Sequence, residues 1–138
     1  MNKMQMETLL QQSHRIAVVG ISDKPHRDSY RVAAYLQAHG YQIVPVNPRL
    51  SEVLGEVCYP DLRSIPEPVD IVDVFRRAEE TPPIAEEAVA IGAKCLWLQL
   101  GVQNEEAEAI AAAGGLTVVS NLCLKVEHTR AGLGTYQG

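Results

Sequence analysis

The sequence predicts an α/β fold, doubly wound about a mainly parallel sheet in three layers, helix–sheet–helix. Three observations carry that prediction. Short apolar runs of strand length recur along the chain, at 15–20, 41–46, 70–75, 94–100 and 116–120. Between most of them lie amphipathic segments of about ten residues, long enough for the right-handed crossovers that parallel strands require. Glycine or proline punctuates nearly every change of pattern.

Taken in order, residues 15–20 (RIAVVG) form a continuous apolar run ending in glycine, the mark of a strand buried on both faces. Asp28 or Ser29 can cap a helix over 30–39, with Val32, Ala33, Leu36 and the Tyr35 ring inward and Gly40 at its end. Residues 41–46 (YQIVPV) read as a second strand, interrupted late by Pro45 and closed by Asn47 and Pro48. Residues 55–59 add a short edge strand, and 62–65 make at most one helical turn between Pro60 and Pro66. A long strand follows at 70–75 (DIVDVF). Pro82 and Pro83 then open a helix that runs to about Ile91, since a first turn tolerates proline.

The run at 94–100 (KCLWLQL) is a further strand. Asn104 caps a helix over 105–113, with acids in the first turn where the macrodipole favours them. Residues 116–120 are the last clear strand. Counting the edge strand, the sheet has six strands in the order 3-2-1-4-5-6, which sets the strand ending at Phe75 beside the one ending at Gly20. No repeat, low-complexity tract or linker interrupts the pattern. Residues 1–138 therefore read as a single domain with its core at about 15–128.

Composition narrows the class. Hydrophobic residues make up 46% and charged residues 21% of the 138, values that exclude a disordered or fibrous chain. The longest apolar runs are strand-sized, well short of the ~18–20 residues that cross a bilayer. The opening MNKMQMETLLQQSHR holds no apolar signal core, so a cytoplasmic location is expected, with no membrane partner. Three cysteines, with no CxxC pair, suit a reducing compartment and argue against a disulfide framework or structural zinc. The four histidines show no metal-ligand spacing.

A net charge of −5 disfavours a nucleic-acid footprint. Its distribution says more. Lys24, Arg27, Arg31, Arg49, Arg76 and Arg77, half of the 12 cations, fall just after strands or in the first loop. That pattern suits a small polyanion, with ordinary surface charge as the competing reading. Ligands of doubly wound folds sit at the carboxyl ends of the strands, so the loops after Gly20, Val46, Phe75 and Leu100 should form the site.

The first loop keeps only Gly20 of a GxGxxG fingerprint, with Ser22 at the second position. The Ser22 hydroxyl, nearby N–H groups, the helix start at Ser29 and the cations Lys24 and Arg27 can still meet phosphate. The second strand end, Val46-Asn47-Pro48-Arg49, lacks the acid that holds a plain NAD ribose and suits a phosphorylated one better, unless Asn-Pro is only a turn. The third end offers Phe75, Arg76 and Arg77, and the fourth Gln99, Leu100 and Gly101. No catalytic constellation emerges. Asp70 and Asp73 fall on opposite faces of one strand, and no strained elbow precedes Cys123, although His128 follows it closely.

These stretches resemble a known family. VVGISDKP at 18–25, GYQIVPVNPR at 40–49, GEVCYPDLRSIP at 55–66 and the long segment at 69–102 are similar to the small stand-alone CoA-binding proteins. Those in turn resemble the amino-terminal CoA-binding domain of the succinyl-CoA synthetase alpha subunit. The resemblance covers about 15–128, and TVVSNLCLKVEH at 117–128 looks like the family's closing strand.

The resemblance implies coenzyme A, or an acyl-CoA, lying across the switch point of a Rossmann-like sheet. Gly20, Ile21, Ser22 and Lys24, with Ser29, would meet the phosphates. Asn47, Pro48 and Arg49, with Val46, would meet the nucleotide end, along which Phe75 and Arg76 run. Gln99, Leu100 and Gly101 would face the pantetheine arm. The synthetase's phosphorylated histidine belongs to a second domain, and this chain stops before one begins. It also has Phe75-Arg76 where the synthetase has a proline after the third strand's valine. The expectation is binding without catalysis, with no protein partner specified. The alternatives are an NAD(P)-dependent enzyme, disfavoured by the missing glycines and ribose acid, and a regulatory or interaction module without a ligand.

Overall fold

Strands form where the sequence concentrates apolar residues. In the computed structural model, which describes residues 1–135, five of them make one parallel sheet: β1 (Arg15–Val19), β2 (Gln42–Val46), β5 (Ile71–Val74), β6 (Cys95–Leu98) and β7 (Thr117–Val119). The order is β2-β1-β5-β6-β7, with Val19 opposite both Val46 and Val74, and Val74 opposite Leu98. This register brings the carboxyl ends of four strands level. Every residue of β5 and β6 is buried, as expected of continuous apolar runs in a covered parallel sheet.

Alternate residues feed two cores. Ile16, Val18, Ile43, Ile71, Cys95 and Trp97 face α1 (Lys3–Gln12), α2 (Asp28–Ala38) and α5 (Leu124–Ala131), which contribute Leu10, Leu36 and Leu124. Ala17, Val44, Val72, Val74, Leu96 and Leu98 face α3 (Thr81–Ala90) and α4 (Glu105–Ala113), through Ala85, Ala88, Ala107 and Ala111. The small alanines let α3 and α4 approach closely. Three layers result, as expected. No helix among the described residues is long and apolar enough to cross a membrane.

The edge strand does not join the sheet. Instead β3 (Glu52–Val53) and β4 (Glu56–Val57) pair antiparallel about Leu54 and Gly55, whose φ values are 55° and 77°. Two successive positive φ angles close a tight hairpin, and that turn draws the segment back on itself. Its backbone bridges β2 at Tyr59, opposite Val46, before Pro60 removes the next donor, while Glu56 reaches Gln42 through its side chain at 3.0 Å. The sheet therefore has five strands, and the order 3-2-1-4-5-6 holds without its outermost member.

Two local expectations also change, and one helix is added. Helix α2 begins at Asp28 without a side-chain cap, because the Ser29 hydroxyl turns to the loop instead. Helix α1 is unforeseen, although Asn2 and Gln5 form a reciprocal capping box. Beyond β7 the closing segment is helical: Asn121, at φ 58°, turns the chain into α5, which Gly132 ends in the left-handed conformation.

Candidate functional site

The first strand ends at a crowded turn. Gly20, at φ 84°, donates its N–H to the Val46 carbonyl at 2.9 Å, while Phe75 N–H donates to the Val19 carbonyl at 2.8 Å. A Cβ on Gly20 would overlap Phe75 backbone and the Arg76 stem. Three strand ends thus close around one residue without a side chain.

From Gly20 the loop folds onto α2 through its serines. Ser29 Oγ accepts from Ser22 N–H at 2.9 Å, and Ser22 Oγ accepts from Lys24 N–H at 3.0 Å. Arg31 N–H is the first helical donor, to the Arg27 carbonyl at 3.1 Å, and no side chain caps the turn. The N–H groups ahead of it have no acceptor within the helix, which makes this end suited to an anion. A cleft of about 430 Å³ opens here, lined by Gly20, Ser22, His26, Arg27, Asp28, Ser29 and Phe75. A larger one, of about 650 Å³, lies between α1 and the start of β7, at the opposite ends of the strands, and its only cationic side chain is Lys94. Topology and charge therefore favour the smaller cleft.

Asn47 ties β2 to the first loop. Its Nδ2 donates to the Ile21 carbonyl at 2.8 Å and its Oδ1 accepts from Arg49 N–H at 2.8 Å. The amide is thus engaged at both ends, as an internal brace between the first loop and Arg49. Arg49 and Pro48 are exposed beside it, and Arg49 has no ion pair among the described residues. Arg27 is likewise exposed and unpaired, whereas Lys24 lies 3.8 Å from Asp23.

At the third strand end the Phe75 ring is half-buried and Arg76 is held by Glu80, with Nη2 at 2.9 Å from each carboxylate oxygen. At the fourth, Gln99 is buried and its Oε1 accepts from Leu124 N–H at 3.4 Å, which places the start of α5 against the sheet's end. Leu100 is exposed, and Gly101 N–H donates to Asn121 Oδ1 at 2.8 Å. The structure therefore brings Gly20, Ser22, Ser29 and Phe75 into one cleft, with Val46, Asn47 and Arg76 at its back and sides. Sequence reasoning missed Glu80, Asn121 and Leu124 here. Asn after a strand, an amide that tolerates positive φ, was a usable signal for Asn121.

Among the described residues, the thiols and His128 are not hydrogen-bonded to one another. Burial pushes the Cys95 thiol up to about 12, with Asp73 adding to the effect, and burial raises Cys58 as well. No hydrogen bond joins Cys123 to His128 among the described residues. His128 Nδ1 instead lies 2.8 Å from the Tyr35 hydroxyl, and burial holds its pKa below the usual histidine value, with His39 adding to the effect. Among the described residues, no group of three or more His, Cys, Asp and Glu side chains could hold a metal ion.

Comparison with known proteins places this arrangement. The CoA binding domain matches residues 14–129. The uncharacterized protein YneT of Bacillus subtilis (strain 168) is 46% identical over 127 residues, covering 92% of this chain and 94% of that one. A hypothetical protein from Pyrococcus horikoshii OT3 superposes with a TM-score of 0.93 at 40% identity, covering 95% and 92% of the two chains. The dinucleotide-forming acetyl-coenzyme A synthetase 1 of Ca. Korarchaeum cryptofilum is similar at a TM-score of 0.72 and 27% identity. There the likeness covers 84% of this chain and only 28% of the synthetase.

Proposed function

The chain belongs to the CoA binding domain family, and from that premise we propose that it binds coenzyme A or an acyl-CoA at the carboxyl ends of β1, β2, β5 and β6 without acting on it catalytically. The observation that carries the reading is the first loop. Its glycine turn leads into an uncapped helix start, and Arg27 and Arg49, which have no ion pair among the described residues, stand on that loop and at the neighbouring strand end. A diphosphate seated there meets backbone N–H groups, a positive helix end and guanidinium charge together.

In this reading Gly20, Ile21, Ser22, Lys24 and Ser29 surround the phosphates. Val46, Pro48 and Arg49 take the nucleotide end, and Asn47 shapes it by bracing Ile21 and Arg49. Phe75 and Arg76 flank the nucleotide, and Gln99, Leu100 and Gly101 lie along the pantetheine arm. Thioester chemistry needs a base or nucleophile within about 3 Å of the reacting atom and donors for the developing oxyanion. The thiols and His128 are not arranged to supply it.

Calorimetric titration with CoA, NAD, NADP and ATP tests the proposal. CoA should bind with a dissociation constant well below those of the other three. Preference for NAD or NADP would replace the reading with a dehydrogenase-like one, and no heat with any ligand would leave a module that binds none of them.

A further inference from the structure

Arg76 has its stem beside the Gly20 turn and its guanidinium paired with Glu80. Its Cδ would lie 2.7 Å from a Cβ on Gly20, so the stem crosses the turn that the phosphates approach in the proposed function. The guanidinium, however, rests against both oxygens of Glu80, four residues on. Arg77 is a second claimant on that carboxylate, with Nε 3.8 Å from Oε1.

We propose that Glu80 is an internal competitor for the anion this site receives: it parks Arg76, and a bound phosphoryl group takes the guanidinium from it. The inference rests on the reading above only in requiring a phosphorylated ligand at the first loop. Two features make the exchange inexpensive. The Arg76 and Glu80 side chains are 41% and 24% exposed, so neither is stripped of water when the pair opens. Arg77 remains to neutralise Glu80 when Arg76 leaves. A diphosphate, with two negative charges over its unbridged oxygens, offers more charge and more acceptors than a carboxylate, so it displaces Glu80 from a planar cation. Glu80 thereby lowers affinity for any weaker anion and sets a threshold that a doubly charged group crosses.

The test is calorimetry on the wild type, Glu80→Gln, Arg76→Gln and the double variant, each with CoA and with inorganic pyrophosphate, after circular dichroism has verified folding. Glu80→Gln keeps an acceptor for Arg76 but removes the charge, and it should tighten binding about three- to tenfold, the scale of one partly exposed charge pair. Arg76→Gln should weaken binding, and in that background Glu80→Gln should gain less than twofold. An equal gain in both backgrounds would mean simple repulsion and would overturn the exchange, as would no gain at all. Pyrophosphate binding that follows the pattern, without CoA binding, would keep the exchange and remove the CoA reading. CoA binding indifferent to Glu80 would do the reverse. No binding of either ligand to any form would remove both.

Discussion

A Cβ atom on Gly20 would stand 2.4 Å from the carbonyl oxygen of Phe75, a separation no side chain tolerates. The two residues are neighbours because β1 and β5 pair in parallel and end level. The turn's positive φ adds a second penalty for any residue but glycine. The requirement for glycine therefore arises first in the fold, before any ligand is considered.

Gly20→Ala should consequently destabilise the protein by about 2–4 kcal/mol, combining left-handed strain with backbone overlap. Gly20→Val should be worse and should abolish CoA binding. Urea unfolding of the alanine variant measures this, and unchanged stability would contradict the close approach.

Asn47→Ala should cost roughly 1–3 kcal/mol, because it leaves the Ile21 carbonyl and the Arg49 N–H without their partner. CoA affinity should fall as well, since the loop loses its brace. Asn47→Asp keeps the acceptor for Arg49 but sets an oxygen against the Ile21 carbonyl, so it should resemble the alanine variant. A stable Asp variant with full affinity would mean that the brace does not shape the site.

Asp73 should make stability depend on pH in an unusual direction. It is fully buried, neither carboxylate oxygen has a hydrogen-bond partner among the described residues, and burial pushes its pKa well above the usual carboxylate range. The native state therefore holds the proton more tightly than the unfolded chain does. Its contribution is fully present below the unfolded value of about 3.9 and is lost as pH rises through the folded value. Asp73→Asn should flatten that decline, so the stability difference between variant and wild type should grow in the variant's favour from pH 4 upward. A difference that stays constant with pH would contradict a protonated native carboxyl.

Asp70 works the other way. Burial raises its pKa, but N–H donors from Arg15 and His14, with Lys94 nearby, outweigh burial and leave it lowered. That contribution is present above the unfolded value and lost as pH falls through the folded one. Asp70→Asn should therefore narrow the stability gap between neutral and acid pH, as read by unfolding at pH 7 and below pH 4.

Arg49 is exposed and has no ion pair among the described residues, so it is available for a ribose phosphate. Arg49→Ala should weaken CoA about tenfold, near the strength of one charge-assisted contact, and leave dephospho-CoA nearly unchanged. Equal losses for the two ligands would remove Arg49 from that role.

Several features were legible in the residues themselves because they depend on near neighbours in the chain. The helix over 105–113, capped by Asn104, appears with the bounds its polar cap and flanking glycines imply. The five apolar runs became the five parallel strands, since continuous hydrophobicity at strand length has few other uses. Helix α1 stayed hidden because only Leu10 of its ten residues is buried, and α5 because Leu124 and His128 alone carry its buried face. Two positions are too few to establish a helical period.

Tertiary structure alone decided the rest. Residues 20 and 75 meet through the β1–β5 register, and Asn47 reaches Ile21 only because β2 lies beside β1. The partnering of Arg76 with Glu80 was within reach of sequence spacing, but its position across Gly20 was not. Periodicity records which residues turn inward. It carries no information about which distant backbone or side chain each one meets there, because that depends on strand order and register, and these are set by the packing of the whole sheet.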